Sequence, residues 1–414
     1  MSVLAIKGGT PLRQKNFPGW PLVDQAGMEE ALLRVLRSDK WGSLHGNETR
    51  SFEQEYAQYH DAKYGVACSN GTVALRLALS ALGIGPGDEV IVPAYTFVAS
   101  AVTVLEVRAI PVFVDIDPET YTLDPRAVEA AITPKTKAIM PVHIAGRPAD
   151  MDAMMDIAAR HDLKVVEDAA QAWGASYKGR KVGAIGDCGC FSFQSSKNIT
   201  SAEGGIILTN QAELADELAS WANCGRKKGG LWYAHYLPAG NQRLTEFQSA
   251  LLREQMKSYP LQLEHRRRNA RILEHKLAEL PGIKLIPSSD DYQGSIHLFI
   301  IRYQKEFFRD IPKDQFIQAL KAEGLMLHGG YSLPLYRQPV FEESIYFPHQ
   351  CPIQCPFTHN PPDYRSLNLP NTERACRDEA IWIPQSIFLG TADDMTDIAA
   401  AFEKVCVNHQ ELLN

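Results

Sequence analysis

Between Val73 and Asn210 short apolar runs alternate with alanine- and leucine-rich stretches of helical spacing, and that rhythm restricts the chain to a few architectures. Thr72 to Leu82 reads as a helix, Glu89 to Val92 as a strand, Thr96 to Leu105 as a helix and Ala109 to Val114 as a second strand. Lys137 to Val142, Lys164 to Glu167, Cys188 to Phe193 and Gly205 to Leu208 continue the strand series, with a helix over Ala149 to His161. Such alternation predicts an α/β fold with a mainly parallel sheet covered by helices. Runs such as Ala138-Ile139-Met140, apolar at consecutive positions, fit strands buried on both faces.

After Leu244 the pattern changes to a long polar helical stretch, Glu246 to Leu280, ended by Pro281-Gly282. Beyond it lie a strand over His297 to Tyr303, an amphipathic helix over Lys313 to Glu323 and a last helix over Asp393 to Val405. A chain of 414 residues exceeds one ordinary core, so two domains are expected. We place a large domain at 1–255 and a smaller C-terminal α/β domain at 256–414, with the N-terminal segment packing on the smaller one.

Hydrophobic residues at 45% and charged residues at 22% predict a folded chain rather than a disordered one. A net charge of −7 and the lack of a long basic run argue against nucleic acid as a partner. The densest basic cluster, Arg266-Arg267-Arg268, reads as a solvated helix face. No apolar run is long enough to span a bilayer, and Met1 to Arg13 lacks a secretory pattern, so no membrane association and a cytoplasmic location are expected. Eight scattered cysteines read as reduced thiols.

Ligands of an open α/β sheet bind beyond the carboxyl ends of its strands. Ser69-Asn70-Gly71-Thr72 opens a helix, where glycine permits close approach and free amides suit a phosphate; taken alone, such a start reads first as a cap. Val165-Val166-Glu167-Asp168 is an apolar strand ending in an acid that could keep a heterocyclic nitrogen protonated, although a loop aspartate is the simpler reading in isolation. Phe191-Ser192-Phe193-Gln194-Ser195-Ser196-Lys197 follows an aromatic strand with small hydroxyl residues and then a lysine. Lysines are usually solvated, but one partly desolvated in a pocket can attack an aldehyde. The order of these elements, all feeding one crevice, carries more weight than any of them.

On these segments the chain resembles the StrS/DegT-type sugar aminotransferases, a branch of the aspartate-aminotransferase-like fold type I that depends on pyridoxal 5′-phosphate. The matching stretches are Asn70-Gly71-Thr72-Val73-Ala74-Leu75, Gly85-Pro86-Gly87-Asp88-Glu89-Val90-Ile91-Val92-Pro93, Pro141-Val142-His143, Glu167-Asp168-Ala169-Ala170-Gln171 and the lysine segment. The resemblance implies that Lys197 forms the Schiff base with the cofactor and serves as general base. It pairs Asp168 with the pyridine nitrogen, sets Gln171 near the phenolic oxygen and stacks Phe97 on the ring, for which a core phenylalanine is the competing reading. It assigns the phosphate to Gly71, Thr72, Ser192 and Asn241, with the asparagine supplied by a neighbouring subunit, and so implies a homodimer with shared active sites.

Over His328-Gly329-Gly330-Tyr331-Ser332-Leu333-Pro334-Leu335-Tyr336-Arg337-Gln338-Pro339 the chain resembles relatives near the inosose aminotransferases and 3-amino-5-hydroxybenzoate synthase more than those that act on nucleotide-linked sugars. The implied reaction moves an amino group from glutamate or glutamine to a keto-sugar or keto-cyclitol. Alternatives are amination of a nucleotide-linked keto-sugar, an aromatising aminodehydratase and a non-catalytic cofactor-binding regulator. Candidates for substrate contact are His143, His328 and Tyr331, each with an ordinary structural role as the competing reading. One departure stands out: relatives often have glycine just before Glu203-Gly204-Gly205, where this chain has Ala202, so either that position needs no positive φ or the turn has changed. His349, Cys351, Cys355 and His359 crowd a proline-rich loop, but their spacing is not that of a zinc finger and no metal is expected.

Overall fold

The computed structural model describes residues 3–286, 288–342 and 362–413. The loop carrying His349, Cys351, Cys355 and His359 lies outside them. In chain order the first strands are β1 (Tyr64–Cys68), β2 (Glu89–Pro93), β3 (Ile110–Val114), β4 (Thr136–Ile139), β5 (Lys164–Asp168), the short pair β6 (Ser176–Tyr177) and β7 (Arg180–Lys181), β8 (Cys188–Ser192) and β9 (Gly205–Thr209). A seven-stranded sheet has the order β1-β9-β8-β5-β4-β2-β3. β2 to β5 and β8 run parallel, while β9 is antiparallel to both β8 and β1.

Burial on both faces is direct. Ile91, Ile139 and Val165 pack into one core and their neighbours Val90, Ala138 and Val166 into the other, all at 0% exposure. Successive strand residues point to opposite faces, so only apolar pairs satisfy a sheet covered twice. The covering helices include α1 (Gln25–Arg37), α2 (Glu48–Tyr59), α3 (Gly71–Ala81), α4 (Ala99–Glu106), α5 (Pro125–Ala131), α6 (Met151–His161) and α7 (Ala212–Ala222). The helix expected from Thr96 starts only at Ala99, which leaves Tyr95-Thr96-Phe97 in the connection from β2. The strand expected over Lys137 to Val142 ends at Ile139, with Val142 still bridged to Asp168.

α8 (Glu246–Leu277) begins with Thr245 as cap in a reciprocal capping box with Gln248. Its first half buries Leu252, Tyr259 and Leu263 against the large sheet, and its second half buries Ala270, Leu273 and Leu277 in a separate core. That second core surrounds a three-stranded antiparallel sheet of β10 (Ile283–Leu285), β12 (Leu298–Tyr303) and β13 (Ala380–Pro384), flanked by α9 (Lys313–Ala322) and the helix Ala392–Val407. β11 (Tyr292–Gln293) joins β6 and β7 in a small sheet of its own. The N-terminal segment lies on this side: Leu4 joins the second core, the Ala5 amide donates to Glu323 at 2.8 Å, and Arg13 pairs with Asp394 at 2.8 Å.

Because α8 is packed from two sides, the solvated face expected for its arginine triplet does not hold. Arg266 is 0% exposed and Arg267 donates to the carbonyls of Gly294 and Gly174; Arg268 alone of the three is exposed. Cys68, Cys188, Cys190, Cys224, Cys376 and Cys406 are unpaired thiols. Among the described residues no helix is long and apolar enough to cross a membrane.

Candidate active site

The carboxyl ends of β5 and β8, the start of α3 and the end of β13 enclose a cavity of about 940 Å³. Asn70 caps α3 by accepting the Val73 amide at 2.8 Å, so the amides of Gly71 and Thr72 sit at the open end of the helix. A Cβ at Gly71 would lie 2.7 Å from the Ser192 Cβ; glycine is what lets the Ser192 hydroxyl stand against the helix start. Two amides, a helix dipole and the hydroxyls of Thr72 and Ser192 thus form a cradle for an anion of phosphate size.

Asp168 is the last residue of β5 and only 6% exposed. Its partners are neutral: Oδ2 accepts from the Ser100 hydroxyl at 2.7 Å, itself paired with Thr96, and Oδ1 from the Ala170 amide at 3.2 Å. Lys197 lies in the turn after β8 and lines the same cavity. Burial pushes its amine down to about 8, with the Asp168 carboxylate opposing part of that fall. Gln171 accepts the Ala145 amide at 2.6 Å and donates to the Tyr331 hydroxyl at 3.4 Å. Phe97 is 57% exposed and lines the cavity, which excludes a core role. His328 and Tyr331 form part of the opposite wall, both in edge contact with Trp382.

Two candidates stand apart from that wall. His143 is fully buried; its Nδ1 accepts the Ala149 amide at 3.0 Å, so Nε2 carries the proton toward Glu167 at 3.0 Å. The same pair ties down the strand end, since the His143 amide donates to the Asp168 carbonyl. Asn241 is exposed, bridged to Asn223, and does not line the cavity of its own chain. Ala202 has φ of 67°, so the turn keeps the left-handed conformation and alanine bears the strain; its amide is held by the Thr200 hydroxyl at 3.0 Å.

Sequence reading missed Ser100, Trp20, His297, Trp382 and Gln385. Ser100 left a faint signal as a polar residue in the apolar helix start Ala99-Ser100-Ala101; the others come from distant segments with no local pattern. The Trp20 indole donates to the Ser195 carbonyl at 2.8 Å. Asn198 donates to the Ser295 carbonyl, so its Oδ1 accepts the His297 Nδ1 proton at 2.9 Å. Burial, with the charges of Lys197 and Arg266 nearby, holds His297 well below the usual histidine range. No cluster of metal-ligating side chains gathers among the described residues.

Residues 24–403 match the DegT/DnrJ/EryC1/StrS aminotransferase family. The chain belongs to that family. An L-glutamine:2-deoxy-scyllo-inosose aminotransferase of Streptoalloteichus tenebrarius is 40% identical over 99% of both chains. The crystal structure of 3-amino-5-hydroxybenzoic acid synthase superposes with a TM-score of 0.85 at 32% identity, covering 96% of this chain and 100% of that one. DesV of S. venezuelae, solved with a ketimine intermediate, gives 0.82 at 34% identity over 95% and 99% of the two chains. This DegT/StrS protein is therefore a pyridoxal-phosphate-dependent aminotransferase of fold type I. The anion cradle at Gly71, the neutrally held Asp168 and the lysine of lowered pKa fit the cofactor's phosphate, ring nitrogen and aldehyde in turn.

Proposed function

We propose that this aminotransferase moves the amino group of glutamine onto the ketone of a cyclitol of the deoxy-inosose type. The observation that carries the reading is the near full-length similarity to a glutamine-dependent inosose aminotransferase. The cavity supports it, since beyond the cofactor residues it has a wall of His328, Tyr331 and Ser386 suited to the hydroxyls of a small polyol.

We assign the parts as follows. Gly71, Thr72 and Ser192 receive the phosphate, Phe97 covers the ring and Gln171 faces its phenolic oxygen. The bound cofactor supplies an electron sink for the donor's α-carbon. Asp168 keeps the ring nitrogen protonated, and the Ser100 hydroxyl fixes the carboxylate in place. Lys197 Nζ, balanced between its two protonation states near pH 8, takes the α-proton from the donor and returns it. Asn241, exposed and outside its own cavity, serves the phosphate of a second copy, which makes the working form a homodimer with shared sites. The seven-stranded sheet and the β10-β12-β13 sheet are taken as the centres of two domains, 1–255 and 256–414, joined through α8, and the unpaired thiols suit a cytoplasmic location.

Incubation of the cofactor-loaded protein with glutamine and 2-deoxy-scyllo-inosose tests this, with an aminocyclitol as the expected product by mass. Amination of a nucleotide-linked keto-sugar instead would overturn it. A second reading follows from the 3-amino-5-hydroxybenzoic acid synthase likeness, an aromatising use of the same ketone chemistry. Its product would absorb in the ultraviolet, as an aminocyclitol does not.

A further inference from the structure

Arg266 is an interior cation with no acidic partner among the described residues. Its guanidinium is 0% exposed, and its hydrogen-bond partners are the amide oxygens of Gln385, at 3.0 Å to Nε and 2.6 Å to a terminal nitrogen, and of Gln262, at 3.5 Å. The Trp20 and Tyr259 rings lie over it at 5.6 and 5.8 Å, shielding it from water. Burial lowers its pKa to about 10, so it is charged at neutral pH. A desolvated charge projects a strong field into an adjoining cavity of low dielectric.

Gln385 transmits that field. Both bonds from Arg266 fall on its Oε1, which fixes the amide orientation and turns Nε2 the other way. Gln385 is 3% exposed, lines the cavity beside His297, Trp20 and Ser386, and its Nε2 has no partner among the described residues. Its backbone is anchored by donation to the His297 carbonyl at 3.1 Å. A donor open to the cavity and fixed by a buried cation is built for an anion rather than for a hydroxyl.

We propose that Gln385, positioned and polarised by Arg266, binds the carboxylate of the amino donor. The inference rests on amino transfer taking place in this cavity. A cyclitol acceptor carries no negative charge, so the unpaired cation fits the one substrate that does. Arg266 is a positioning residue acting through Gln385, and its field and the donor's carboxylate hold the amino acid with its amine toward Lys197.

The test is calorimetric titration of the cofactor-loaded protein with glutarate, a non-reacting carboxylate, beside steady-state kinetics. Gln385→Glu gives Arg266 a carboxylate partner, so the variant is expected to keep or raise its Tm. Its affinity for glutarate is expected to fall about tenfold or more, and the KM for glutamine to rise similarly, with kcat and the acceptor KM within about threefold. Arg266→Met is expected to share the binding loss and Arg266→Lys to restore part of it. Unchanged glutarate affinity in Gln385→Glu would overturn the proposal. So would a weakened acceptor with glutamine unaffected, which would place an anionic acceptor group there. Failure of the wild-type protein to aminate any ketone would sink the functional reading, while the glutarate titration would still read the subsite.

Discussion

The two walls of the cavity are built in opposite ways. On the side of the seven-stranded sheet, the cradle at Gly71, the carboxylate of Asp168 and the hydroxyl of Ser192 sit at the start of a helix or the ends of strands, and the amine of Lys197 in the turn after β8, each inside a short recognisable segment. On the facing side, Trp20, His297 and Tyr331 come from separate stretches of the chain, and Trp382 and Gln385 from β13 and the residue just after it; Tyr331 and Trp382 pack in a cluster with Tyr95 and Tyr121. On the proposed reading the first wall carries what every amino transfer needs, and its spacing is set by consecutive strand and helix units. On the same reading the second selects the donor and the acceptor, and it is assembled mostly by connections, with Trp382 from β13. Rigid elements position chemistry while connections vary specificity.

This contrast predicts that changes on the first wall strike kcat and those on the second strike KM. The largest effect is expected for Asp168→Asn, with kcat down about a hundredfold or more and cofactor retained, because a neutral partner no longer favours the protonated ring. Ser100→Ala should show a smaller loss of the same kind. Steady-state kinetics with full activity in Asp168→Asn would break the comparison.

Next in size is a pH effect at Lys197. Its amine is lowered from the usual 10.5 to about 8, so the neutral, nucleophilic form is about 1% of the total at pH 6 and half at pH 8. Capture of the aldehyde by cofactor-free protein should therefore speed up about fiftyfold between those values, followed by stopped-flow absorbance. The rate should then level off, rising only about twofold more by pH 10; a rate that climbs steeply on to pH 10 would mean the lysine is not desolvated.

On the second wall, Tyr331→Phe removes the hydroxyl that accepts from Gln171 and faces the cavity. The acceptor KM is expected to rise about tenfold while the glutamine half-reaction stays within twofold. Equal losses in both halves would move Tyr331 to the chemical wall.

The asymmetry also explains what could be read from the sequence. Apolar runs such as Val90 to Val92 and Val165-Val166 announced strands, and their ends announced the site. Strand direction carries no such mark, so the reversal of β9 was invisible, and β1, opening on the exposed Tyr64 and on Gly65, broke the apolar rhythm. Arg266 looked like surface because arginines in a polar helix nearly always are; only the packing of α8 between two cores buries it. Asn241 and His143 have motif positions that say nothing of which way they face, and the structure sets one outside its own cavity and locks the other to Glu167.

The smallest effect expected lies in the turn after Lys197. Ala202→Gly should relieve the left-handed strain at φ of 67° and stabilise the fold by about 1 kcal/mol in urea denaturation, with no change in KM for either substrate. A loss of stability would show that neighbouring contacts of the methyl group outweigh the strain.

The central claim is that Lys197 is the amine that takes the cofactor's aldehyde. Borohydride reduction of the pyridoxal-phosphate-loaded protein, followed by peptide mapping by mass, addresses it directly. The account predicts the reduced adduct on the peptide containing Lys197 and nowhere else in stoichiometric amount; an adduct on another lysine, or none at all, would contradict it.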